Sequence, residues 1–143
     1  MTEDDIKQRF LHEIELRAAE DRYVDRNEER EILEIAIQLG WSKDRSLTAL
    51  AEVCTGQGYV LESQVLKSIR QHLEVAIAND GKVDRKEFDV VFQHAKEAMA
   101  GKKSDREIKK MIVLLMDDTG NNRVKTGWFS DWYTALKKEL GMK

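Results

Sequence analysis

A chain of 143 residues is long enough for one buried core, or two very small ones. Charged residues make up 36% and apolar types 41%, too polar for a membrane protein and too apolar for a disordered one. The net charge of −3 is uneven: residues 1–50 carry 13 acids against 8 bases, and residues 101–143 carry 6 against 10. A basic tail without a domain-wide basic footprint argues against nucleic acid as a specific partner.

Helical spacing of apolar residues runs nearly the whole length. A first helix carries Ile6, Phe10 and Ile14, with Thr2 and Asp5 placed to cap it. A second spans about Arg26 to Leu39, stopped by Gly40. Ser42 caps a third with Leu47, Leu50 and Cys54, broken at Gly56 to Gly58. A fourth starts near Leu61 to Ser63 and runs to a turn at Asn79 to Lys82. A fifth holds Phe88, Val91, Phe92 and Ala95 and ends by Gly101; Ser104 and Glu107 box the start of a sixth. After a polar loop over residues 117–122, Thr126 caps a seventh with Phe129, Trp132, Tyr133, Leu136 and Leu140. The expected fold is all-α, a compact bundle of about seven helices in a single domain over residues 1–143. The absence of proline agrees with short, glycine-capped connections.

The chain aligns with itself at an offset of 59, with repeats near 5–40 and 62–100. The shared skeleton is Ala19/Ala78, Asp21/Asp80, Val24/Val83, Asp25/Asp84, Arg26/Arg85 and Glu28/Glu87. The repeated unit is helix, acidic turn, helix. Asp25 with Glu28, and Asp84 with Glu87, have the spacing of a capping box, with Val24 and Val83 as apolar staples. Capping does not account for Asp21 and Asp80, which sit near the negative end of the preceding helix, where the dipole opposes a carboxylate. Either an arginine (Arg22, Arg26 or Arg85) or a hard divalent cation would favour them. Asp21, Asp25, Glu28, Asp80, Asp84 and Glu87 are therefore candidate ligands for calcium or magnesium, one shared site or two weak ones. Asp80 to Glu87 also fits loop positions five to twelve of an EF-hand, but Ala76 and Ala78 would then hold ligand positions one and three, against a standard EF-hand.

The paired turns resemble the tellurite-resistance TerB-like family, small all-helical domains with an acidic Asp-Gly-x-Val-x-x-x-Glu turn in a repeated helical hairpin. The likeness covers about residues 5–120. The second copy matches well, and the first departs at Arg22, where the pattern has glycine. The resemblance implies a seven-helix fold, divalent-cation binding by the paired turns, and a non-enzymatic role in a stress-response or membrane-associated assembly.

Other chemistry is sparse. His12, His72 and His94 are scattered, none is paired with another or with Cys54 at metal-ligand spacing, and each reads as a surface or half-buried helix residue. Cys54 reads as a small core residue and cannot alone form a disulfide framework or a thiolate zinc site. No nucleophile elbow, P-loop or dinucleotide glycine pattern occurs, so no enzymatic activity is expected. No apolar run approaches the ~20 residues of a membrane span. The acidic start at Glu3, Asp4 and Asp5 is unlike a secretory or transit signal, which gives a cytoplasmic expectation. In the last helix Trp128 and Trp132 form one stripe beside the stripe of Phe129, Tyr133 and Leu136. The alternative function is thus a metal-independent adaptor in which Trp128, Trp132, Lys137 and Lys138 bind a protein partner or a peripheral membrane surface.

Overall fold

The computed structural model describes residues 2–118 and 132–142, with the backbone alone described at Asn79 and Asp80. The fold is all-α. Its helices are α1 (Glu3–Ala18), α2 (Arg26–Gln38), α3 (Lys43–Gln57), α4 (Glu62–Asp80), α5 (Arg85–Met99), α6 (Asp105–Asp118) and α7 (Trp132–Glu139). Two two-residue strands, β1 (Tyr23–Val24) and β2 (Val60–Leu61), interrupt them. None of the described helices is long and apolar enough to cross a membrane. Residue contacts gather into two compact units, Met1–Gln64 and Val65–Lys143.

In the first unit α1, α2 and α3 pack on one another. Their apolar stripes meet in a core that includes Ile6, Phe10, Ile14, Ile32, Leu50 and Cys54. Thr2 and Asp5 form the expected capping box, and Ser42 caps α3. Helix α3 runs through Gly56 and stops at Gly58, whose φ of +76° closes the last turn. The strands were not foreseen. They pair in parallel, Tyr23 with Val60 and Val24 with Leu61. The short ladder ties the turn after α1 to the entry of α4.

In the second unit α5 packs on α6. Helix α7 is fastened by polar contacts at both ends. The Tyr133 hydroxyl donates to Asp117 at 2.8 Å, and Lys137 pairs with the same carboxylate at 2.9 Å. At the other end Arg106 donates to the carbonyls of Glu139 and Leu140, where orphan acceptors of the last turn need donors. Asp117 and Asp118, expected in a loop, are the last residues of α6. The rest of that loop, and the proposed start of the last helix at Thr126 and Phe129, lie outside the described residues.

Candidate site: the acidic turns

The first turn is built by local rules. After α1 the chain turns at Arg22, whose φ is +55°, and the Arg22 N–H donates to the Ala18 carbonyl at 2.8 Å. Asp21 turns back on the chain: its Oδ1 accepts the Tyr23 N–H at 3.1 Å. Val24 is fully buried and anchors the entry to α2. Asp25 then caps α2. Its Oδ1 accepts the Glu28 N–H at 2.8 Å, and Glu28 Oε1 accepts the Asp25 N–H at 3.1 Å.

The second turn follows the same local pattern within its own unit. Gly81, with φ of +76°, donates its N–H to Ile77 at 2.6 Å. Val83 is fully buried. Asp84 Oδ1 accepts the Glu87 N–H at 2.7 Å, and Glu87 Oε1 accepts the Asp84 N–H at 3.0 Å. The Asp80 backbone closes α4; its side chain lies outside the described residues. In both boxes capping occupies one oxygen of each carboxylate. The second oxygens of Asp25, Glu28, Asp84 and Glu87 meet no protein donor among the described residues.

Electrostatics single out the first turn. Burial pushes the Glu28 carboxyl above its ordinary range, and the negative charges of Asp25, Asp21 and Glu31 push it the same way, against the Asp25 N–H. The arginine expected to neutralise Asp21 is used elsewhere. The Arg22 guanidinium donates to the Gln57 carbonyl at 2.9 Å and lies 5.1 Å from the Tyr59 ring centroid. Among the described residues no ion pair reaches Asp21, Asp25 or Glu28. Glu13, buried on α1 of the same unit, shows the opposite case. Arg17 first, with Arg9 beside it, holds its carboxyl below the usual range against the cost of burial. Among the described residues no three His, Cys, Asp or Glu side chains stand in an arrangement that could hold a metal ion.

The C-terminal candidates have separate surroundings. Trp132 is 9% exposed, with its ring 5.5 Å from Phe88 and 5.6 Å from Tyr133. Lys137 is paired with Asp117, Lys138 is exposed, and Trp128 lies outside the described residues. Cys54 is buried as expected, which pushes its thiol up to about 12.

The histidines sit on helices as expected, His72 half-buried and His94 exposed. His72 on α4 and His94 on α5 stack, with centroids 4.4 Å apart and planes 7° from parallel. Sequence spacing could not show this, because the two rings meet only once α4 and α5 are placed. Also unforeseen was the contact of Tyr23 with Glu62 at 2.7 Å, which follows from the β1–β2 register. No family profile, no curated protein and no solved structure matches the chain.

Proposed function

We propose that this chain is a non-enzymatic helical module of the TerB-like kind whose acidic turns take up a hard divalent cation, magnesium or calcium. Its helical body would then serve a stress-response or membrane-associated assembly. The observation that carries the reading is the setting of Glu28: a half-buried carboxylate among like charges, with no cation beside it among the described residues. A half-buried negative charge among like charges is costly even when it accepts a capping hydrogen bond, and a divalent ion offsets several such charges at once. Magnesium suits the arrangement, because it keeps several of its waters and binds through one or two carboxylates. The free oxygens of Asp25 and Glu28 are available for that role while their other oxygens hold the cap.

Binding to the folded state alone raises stability by RT ln(1 + [L]/Kd), about 1.4 kcal/mol at a tenfold excess over Kd. Melting curves recorded with magnesium, calcium or manganese at millimolar concentration should therefore shift upward, and chelator should reverse the shift. An unchanged melting temperature with all three ions would sink the proposal.

A further inference from the structure

The stacked histidines belong to neither turn. We propose that His72 and His94 form a two-imidazole site for a late first-row transition-metal ion of the nickel, copper or zinc class. The rings come from different helices, α4 and α5, and their centroids are 4.4 Å apart. His72 is half-buried and His94 is exposed, so one ring is held by its surroundings and the other is open to water. Among the described residues neither ring takes part in a hydrogen bond or an ion pair. Each neutral imidazole carries one donor and one acceptor nitrogen, so the stack leaves both rings' ligating capacity unused.

The class of ion follows from the donors. Imidazole nitrogen suits nickel, copper and zinc, whereas calcium and magnesium prefer oxygen. An ion shared by both rings must lie in the plane of each, with metal–nitrogen distances of about 2.0–2.1 Å. Two parallel rings cannot meet that condition while stacked. Binding therefore requires the exposed His94 ring to leave the stack by turning about its broad χ2 torsion. No third His, Cys, Asp or Glu joins the pair among the described residues, so water completes the coordination sphere and the ion exchanges with solvent.

Nickel chloride titrated calorimetrically into the full chain, with magnesium in excess so that the acidic turns are already supplied, tests the assignment. One nickel ion per chain is expected. Two ligands held on one scaffold bind about 10² to 10⁴ times more tightly than either alone. His72→Ala and His94→Ala should therefore each weaken binding about a hundredfold, while His12→Ala leaves it unchanged. Because His94 is exposed, its replacement leaves the fold intact, and circular dichroism checks this. Paramagnetic nickel should also broaden the imidazole proton resonances of His72 and His94 and spare those of His12. No nickel uptake, wild-type affinity in either the His72 or His94 variant, or equal broadening of all three histidines would overturn the proposal. Magnesium and calcium binding at the turns can fail without touching this result, and the reverse also holds.

Discussion

The two acidic turns share a backbone path and differ in what surrounds it. Each leaves a helix through a residue of positive φ, buries a valine and enters the next helix through an Asp–Glu box. The positive-φ residue is Gly81 in one and Arg22 in the other. Glycine takes that conformation without strain, whereas an L side chain costs roughly 1–2 kcal/mol there. Arg22 recovers part of that cost through the Gln57 carbonyl and the Tyr59 ring. Its guanidinium is thereby committed to the β2 side of the turn and does not neutralise Asp21. The residue that departs from the repeated pattern thus leaves the first turn negative.

The largest expected effect tests the shared part. Val24→Ala and Val83→Ala each empty a fully buried position and should cost about 2 kcal/mol in denaturant unfolding. A large loss at one site and none at the other would break the equivalence of the turns. Next come the caps. Asp25→Ala and Asp84→Ala should each cost about 1 kcal/mol, and Asp→Asn at the same sites far less, since asparagine also caps well.

The positive-φ residues sharpen the difference. A Cβ at Gly81 would meet nothing within 4 Å, so Gly81→Ala measures backbone strain alone, about 1 kcal/mol. Arg22→Gly relieves that strain but removes the Gln57 and Tyr59 contacts, so its net effect should lie near zero.

The smallest effect concerns pH. The folded-state pKa of Glu28 is raised, so the folded chain binds more protons than the unfolded one between the ordinary value of 4.5 and the raised value. Stability from this group therefore falls as pH rises through that window. Glu28→Gln keeps an N3 acceptor for the box and removes the charge, so it should flatten the pH dependence without lowering stability at neutral pH. Stability that drops sharply in the Gln variant would mean that the carboxylate is already compensated.

Much of this was legible because it is local. The boxes at Thr2, Asp25, Asp84 and Ser104 need only residues three apart, and the apolar stripes of α1, α2 and α5 repeat at helical spacing. What escaped depends on chain segments meeting. A two-residue strand carries no periodicity, so β1 and β2 appear only when Val60 and Leu61 arrive beside Tyr23 and Val24. The same holds for the stacked His72 and His94. At Arg22 the residue types suggested an ion pair with Asp21; contacts to Gln57 and Tyr59, distant in sequence, direct the side chain elsewhere. The capping boxes were therefore readable residue by residue, while the charge balance around them was not.

Calorimetric titration of magnesium into the wild-type chain and into an Asp21→Asn, Glu28→Gln variant tests the central claim, that the uncompensated first turn attracts a hard cation. Measurable heat of binding for the wild type, lost or strongly reduced in the variant while its fold is unchanged, is the predicted result. No heat for the wild type at millimolar magnesium, or equal heat for both proteins, would contradict it.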